Sequence, residues 1–377
     1  MKARLPILFL LFVTSLSFAQ QPPMPAPPII GATSYLLIDS TTGHELAALE
    51  PDNAVPPASL TKLMTAYVVF NALQQQQITL QDEVTVSEKA WRTQGSRMFI
   101  EVGKRVSVED LLHGMIVQSG NDASVALAEF VAGTEAVFAE MMNQQAAALG
   151  MHSSHFMNAT GLPDDDHYST ARDLATLARA IIQQFPEYYR WYSIKEYTFN
   201  EITQPNRNNL LWRDDSVDGM KTGYTEAAGY CLVSSAKRDD MRIISVVLGT
   251  ASARARISGS QSLLNYGFRF YETHKLYSAG DEVTTARVWK SANEFSALGV
   301  IEDVYITVPR GSYDSLESTL NMPAIIEAPV AQSQPIGELN IALGEEQLLQ
   351  VPLRALADNP AGSLWQRTVD GVSLWFE

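Results

Sequence analysis

The sequence predicts an α+β protein in which one antiparallel sheet is flanked by helices, followed by a small all-β domain and an amphipathic terminal helix. Three observations predict it. Strand-like segments stand at both ends of the first 276 residues, with helical segments between them. Beyond Leu276 the helical periodicity stops, and short Val/Ile/Thr runs alternate with turns. At the end, Leu364, Trp365, Val369, Val372, Trp375 and Phe376 fall within an arc of about 140° when wound at 100° per residue, opposite Arg367, Asp370, Ser373 and Glu377.

In chain order, Gln21–Pro28 (QPPMPAPP) is a Pro-rich lead-in. Ser34–Asp39, the turn Thr41-Thr42-Gly43 and His44–Leu49 read as a hairpin. From Ser59 to Gln76, Leu63, Tyr67, Phe70 and Leu73 recur at helical spacing. Further helices are expected over Val108–Val117, Ala123–Val131, Glu135–Leu149 and Ala171–Gln183, with Pro163–Asp166 an exposed loop. Tyr230–Ser235 and Arg242–Leu248 are β-rich across the turn Lys237–Asp240, and a helix from Ala253 to Tyr271 closes the region. The first and last of these strands should meet in the sheet. Val283–Val288, Val304–Val308 and Ala324–Val330 are the strand candidates of the second domain. The expected divisions are 1–19, 20–32, 33–276, 277–358 and 359–377.

Composition excludes several functions. A charge of −15, from 27 basic and 42 acidic residues, argues against nucleic acid. The β domain is the more acidic part, with Arg287, Lys290, Arg310 and Arg354 against about a dozen carboxylates. One cysteine, Cys231, permits no disulfide framework and no Cys-based zinc site; a buried apolar thiol is expected. Residues 1–19 carry Lys2 and Arg4, an apolar run Leu5–Val13 and Ser17-Phe18-Ala19, the layout of a cleaved export signal. The alternative, an uncleaved anchor, fits less well with so short a run. The terminal helix bears Trp and Phe and suits a membrane interface, although its polar face is acidic where a basic one binds anionic lipid better.

Three short motifs carry chemistry. Ser59-Leu-Thr-Lys62 sets a hydroxyl and an amine about one helical turn apart, so a neutral Lys62 could take the proton of Ser59; the plainer reading makes Ser59 a helix N-cap. The pattern recurs at Ser234-Ser-Ala-Lys237, at a strand end, where it is expected to be idle. Ser119-Gly120-Asn121 offers a relay hydroxyl and an amide, and Ser291-Ala-Asn293 repeats that form in the acidic domain. Lys221-Thr222-Gly223, which occurs once, can grip a carboxylate, and its glycine would admit a substrate backbone to a strand edge.

Together and in this order, these motifs resemble those of serine β-lactamases and penicillin-binding proteins. Pro57–Thr65, Ser119–Ala123, Asn206-Arg-Asn208, Val217–Gly223 and Gly267–Phe270 extend the resemblance to the D-alanyl-D-alanine carboxypeptidases among the penicillin-binding proteins of low molecular mass. The resemblance implies a β-lactamase-like catalytic domain that removes the terminal D-alanine of peptidoglycan pentapeptides, without metal or cofactor. It implies Ser59 as nucleophile, Lys62 as base, Ser119 as proton relay, Asn121 on the acyl amide, and Lys221 with Thr222 and Gly223 at the carboxylate. The N–H groups of Ser59 and Tyr224 would form the oxyanion hole. Arg207 and Arg256 match family arginines more loosely, and Tyr224 stands where relatives often carry His. β-Lactams would acylate Ser59. The location implied is the periplasm, on the outer face of the inner membrane through residues 359–377.

Other readings stay open on sequence. A DD-endopeptidase would use the same residues, and a penicillin-binding scaffold would recruit wall-synthesis partners through its β domain. A class A β-lactamase would need its deacylating Glu-x-x-Asn, which Glu140-Met-Met-Asn143 matches formally but too close to Ser119. No G-x-S-x-G occurs, and His152-x-x-His155 lacks the glutamate of a zinc peptidase.

Overall fold

A computed structural model describes residues 24–375. The expected export signal, residues 1–19, lies outside them, as do the first residues of the Pro-rich lead-in.

The first domain opens with the expected hairpin, β1 (Ser34–Asp39) and β2 (Glu45–Leu49). Helices α1 (Thr61–Gln74) and α2 (Glu88–Arg92) follow, with β3 (Glu83–Thr85) between them and β4 (Arg105–Ser107) after, then α3 (Val108–Val117), α4 (Asn121–Ala132), α5 (Glu135–Ala148) and α6 (Ala171–Gln184). After α7 (Pro186–Tyr189) and the small pair β5 (Glu196–Phe199) and β6 (Ile202–Pro205) come three long strands, β7 (Val217–Thr225), β8 (Gly229–Arg238) and β9 (Met241–Thr250), and then α8 (Ala253–Phe270). The main sheet has the order β2-β1-β9-β8-β7. β1 pairs antiparallel with β9, so the first and last strand regions of the domain meet.

Both faces of this sheet are buried. Leu36, Ile38, Val233 and Val246 pack on the side of α1 and α3–α6, while Leu37, Leu232, Ile243 and Val247 pack towards α8. Double burial explains why Ile243–Leu248 is nearly continuously apolar instead of alternating. Cys231 lies wholly buried in the first of these cores.

The chain passes from α8 directly into β10 (Tyr271–Tyr277), which pairs with β13 (Val304–Pro309). The expected division at 276/277 therefore falls at the end of a strand that already pairs within the second domain. A five-stranded sheet of order β11-β12-β16-β15-β14 is built from β11 (Glu282–Arg287), β12 (Phe295–Gly299), β14 (Leu316–Asn321), β15 (Pro335–Leu343) and β16 (Glu346–Ala355). Ala324–Val330 forms isolated bridges in place of the expected strand. Pro323 and Pro329 each lack the N–H that a ladder needs. The buried Asp39 carboxylate joins the domains, accepting from Thr42 Oγ1 (3.1 Å) and Thr273 Oγ1 (2.8 Å).

Helix α9 (Leu364–Ser373) carries a capping box between Ser363 and Gln366. Asp370, on its polar side, accepts from the Lys290 backbone N–H at 2.5 Å, tethering the helix to the β domain. Leu364, Trp365, Val372 and Trp375 remain well exposed.

Candidate active site

Ser59 does not cap α1. It sits in a short 3₁₀ turn, Ala58–Leu60, and α1 begins at Thr61. Ala58 has φ +49°, in the left-handed region that costs a non-glycine residue energy. Two glycines allow this turn to be gripped. A Cβ on Gly161 (φ +79°) would lie 1.8 Å from the Ala58 carbonyl oxygen, and one on Gly223 would lie 3.0 Å from that of Pro57. The space left by Gly223 on this side is taken by the Ser59 turn.

Lys62 is 1% exposed, and its Nζ has three partners: Ser59 Oγ at 3.1 Å, Asn121 Oδ1 at 2.6 Å and the Thr160 carbonyl at 2.6 Å. Burial pulls its pKa from 10.5 to about 7, partly opposed by the Asp122 carboxylate. A neutral amine has two N–H donors and one lone pair. Asn121 Oδ1 and Thr160 O can only accept, so they take the two donors, and the lone pair is left for the Ser59 hydroxyl.

Ser119 occupies the left-handed region (φ +67°), and its Oγ is buried without a hydrogen-bond partner among the described residues. Asn121 is the first residue of α4 and donates from Nδ2 to the Gln94 carbonyl at 2.5 Å. Lys221, Thr222 and Gly223 lie within β7, an edge strand. Lys221 is 2% exposed and donates to the Thr222 carbonyl (3.2 Å). Burial, and then repulsion from Lys62, Arg256 and Arg207, hold its pKa well below the usual lysine range. None of these four basic side chains has a carboxylate within salt-bridge distance among the described residues.

Arg256 lies in the first turn of α8. Its Nη1 donates to the Gly223 carbonyl (3.1 Å), and its guanidinium stands 5.6 Å from the Tyr230 ring centroid. Tyr230 packs at 4.3 Å from Tyr224, which is half exposed. Arg207 is exposed, on a segment pinned by Asn206 Nδ2 to the Ile194 carbonyl (2.9 Å) and by Asn208 Nδ2 to the Gly219 carbonyl (3.0 Å).

Sequence reasoning missed the support for this cluster. Thr160 acts through its carbonyl, which no side-chain motif reveals. Asn158 Oδ1 shapes that loop by accepting from the Thr160 and Gly161 N–H groups (3.1 and 2.8 Å). His167 accepts at Nδ1 from the Met157 N–H (3.3 Å), so its Nε2–H faces Thr61 Oγ1 (2.9 Å); burial lowers its pKa to about 4. Asp122, wholly buried, accepts four backbone N–H bonds.

The look-alike motifs lie elsewhere. Ser234 is buried in β8 while Lys237 is exposed, and Ser291 Oγ bonds the Val288 and Asn293 carbonyls. Asn143 on α5 is consumed in bonds to the Phe156 backbone, and Glu140 points to solvent. His155 donates from Nδ1 to the Asp166 carbonyl (2.7 Å).

A three-layer α+β domain with a Ser–Lys pair packed beneath an edge strand, followed by a β domain, defines a penicillin-binding-protein-like serine peptidase. Comparison with known proteins gives the family. Residues 20–252 match the model described as D-alanyl-D-alanine carboxypeptidase, and residues 271–361 the one described as penicillin-binding protein 5, C-terminal domain. The chain is 40% identical over 361 residues to D-alanyl-D-alanine carboxypeptidase DacA of Escherichia coli K12, covering 94% of this chain and 90% of that one. Penicillin binding protein 5 from Haemophilus influenzae superposes with a TM-score of 0.86 at 42% identity, covering 89% of this chain and 99% of that one. Penicillin-Binding Protein D2 from Listeria monocytogenes, solved in its ampicillin-bound form, gives 0.59 at 32% identity, over 63% and 98% of the two chains. The chain belongs to the D-alanyl-D-alanine carboxypeptidase family.

Proposed function

We propose that the chain removes the terminal D-alanine from peptidoglycan pentapeptides through an ester on Ser59, and that β-lactams acylate the same oxygen. The observation that carries this reading is the environment of Lys62. An amine held near pKa 7, with both donors committed, is a base aimed at the Ser59 hydroxyl.

In this reading Ser59 Oγ attacks the carbonyl between the two D-alanines as its proton passes to Lys62. The N–H groups of Ser59 and Tyr224 hold the oxyanion, and the unpartnered Ser119 hydroxyl carries a proton to the leaving amine. Asn121 fixes Lys62 and meets the acyl amide. The substrate carboxylate goes to Lys221 and Thr222, supported by Arg207 and by Arg256 behind Gly223. Lys221, Arg207 and Arg256, none with a carboxylate within salt-bridge distance among the described residues, favour an anionic ligand there in a protein of charge −15. Water then hydrolyses the ester. The chemistry of this site asks for no metal or cofactor.

The chain is exported to the periplasm by residues 1–19, and α9 attaches it to the inner membrane. The tether of Asp370 to Lys290 supports the second point, because it commits the polar side to the β domain and leaves Trp365 and Trp375 in solvent at 76% and 90% exposure. Co-sedimentation with anionic vesicles, lost when the chain is ended at Ala361, tests the attachment.

D-Alanine release from a pentapeptide ending in D-Ala-D-Ala tests the activity. Release by the wild type and none by Ser59→Ala supports the reading. No release by a folded wild type rejects the carboxypeptidase, leaving cross-link cleavage or a scaffold.

A further inference from the structure

We propose that Asp122 is a positioning residue of the acylation site, its buried carboxylate folding the Gln94–Ile100 loop onto Asn121. The inference rests on the roles given above to Ser59, Lys62 and Asn121.

An acidic residue in the first turn of a helix is ordinarily a partner for the helix dipole, standing in water. Asp122 is the second residue of α4 and wholly buried. Of the four N–H groups it accepts, only Ala123 (3.0 Å) belongs to its own helix. Met98 (3.0 Å), Phe99 (2.9 Å) and Ile100 (3.3 Å) belong to a segment with no helix or strand of its own. Burying a carboxylate is costly unless such bonds replace its water, and the Arg97 guanidinium of the same loop stands 4.0 Å from Asp122 Oδ2, so the pairing specifies both partners.

The neighbouring residue grips the same loop with opposite polarity. The Asn121 backbone N–H donates to the Ser96 carbonyl (2.7 Å), and its Nδ2 to the Gln94 carbonyl (2.5 Å). Gly120 makes the close approach possible, since a Cβ there would lie 2.9 Å from Asp122 Oδ1 and 3.2 Å from the Met98 nitrogen.

The consequence reaches Lys62 through the orientation of one amide. Asn121 presents Oδ1 to Lys62 because the Gln94 carbonyl holds its Nδ2. If the loop moves away, nothing prevents the amide from turning. An N–H would then face the Lys62 amine, which must find another partner and loses its aim at Ser59. Asp122 also supplies the one carboxylate that acts on Lys62 in the interior. The other titratable groups facing that amine are Lys221 on β7 and the neutral His167.

The test is the second-order rate of acylation by a fluorescent penicillin between pH 5.5 and 9, with melting temperature as the folding control. Asp122→Asn keeps the shape but turns an amide donor towards backbone donors. Its plateau rate is expected to fall by about tenfold or more. Its acid-side midpoint is expected to move to lower pH, because Lys62 loses the negative charge of Asp122 that opposes the effect of its burial. A folded variant with wild-type rate and midpoint overturns the proposal, and so does a slower one whose midpoint stays put. Gly95→Ala decides the matter if Asp122→Asn does not fold. Its Cβ would lie 2.6 Å from Asn121 Nδ2 at an exposed loop position of φ +93°. A comparable loss of rate supports the coupling, and a wild-type rate refutes it. Wild type that is acylated but releases no D-alanine rejects the proposed function while leaving this inference standing.

Discussion

In Ser59–Lys62 the backbone coils, and the hydroxyl and amine meet at 3.1 Å inside the protein. In Ser234–Lys237 it is extended along β8, where residues three apart point to opposite faces, so the serine is buried and the lysine stands in solvent. The same four-letter pattern therefore makes a reactive pair in one region and two unrelated side chains in the other. Ser119-Gly-Asn121 and Ser291-Ala-Asn293 differ in the same way. The first leaves a buried hydroxyl free beside a helix start, while the second spends its hydroxyl on the Val288 and Asn293 carbonyls. A motif acquires chemistry only from the backbone geometry beneath it.

The largest test of this contrast exchanges the serines. Ser59→Ala should abolish penicillin acylation and lower D-alanine release by about 10⁴-fold or more, whereas Ser234→Ala should leave both unchanged. Measurable acyl-protein from Ser59→Ala would mean that another nucleophile is used. Next in size are the lysines. Lys62→Arg keeps a cation that can donate hydrogen bonds but cannot become a base at working pH, so acylation should fall by about 10²- to 10⁴-fold, while Lys237→Ala should be silent. In the wild type, Lys62 loses its free-base form as pH falls through about 7. The acylation rate should drop on the acid side with a midpoint in that region, and a rate flat down to pH 5.5 would contradict Lys62 as base. Lys221→Ala comes third. It should cost about 10- to 100-fold in kcat/KM for a substrate with a free carboxylate, and far less for its C-terminal amide. Equal losses for both would remove the carboxylate from Lys221.

The catalytic domain was more legible in sequence than the β domain, for a physical reason. Its helix α1 is buried on nearly every side, α6 on one face and the strands of its sheet on both, so Leu63, Tyr67 and Phe70 or Ile243–Leu248 carry strong apolar patterns. In β14, Leu316–Asn321 is largely exposed and reads as a polar loop; its partner β15 is only partly buried. Within the site, the motifs named the reacting side chains but not what holds them. Thr160 contributes a carbonyl, Gly223 and Gly161 contribute the absence of a Cβ, and Asp122 looks like an ordinary charge at a helix start. The 3₁₀ turn at Ser59 was hidden for the same reason, because its shape is set by contacts from the distant Gly161 and Gly223.

The smallest test is one of stability, and the two look-alike serines should give opposite signs. Ser234 Oγ is buried with no partner among the described residues, so it carries a desolvation cost that no bond offsets. Ser234→Ala removes that cost and fits the same space, and the catalytic domain should gain up to about 1 kcal/mol. Ser291 Oγ lies 2.5 Å from the Val288 carbonyl and 2.6 Å from that of Asn293, holding the turn that leads into β12. Ser291→Ala leaves those carbonyls short of a donor and should cost the β domain about 1 kcal/mol. Calorimetry should then show the melting temperature rising in the first variant and falling in the second, with carboxypeptidase activity at 25 °C unchanged in both. A loss of stability on Ser234→Ala would mean that its hydroxyl is bonded in the sheet, and the contrast between the two serines would then rest on geometry alone.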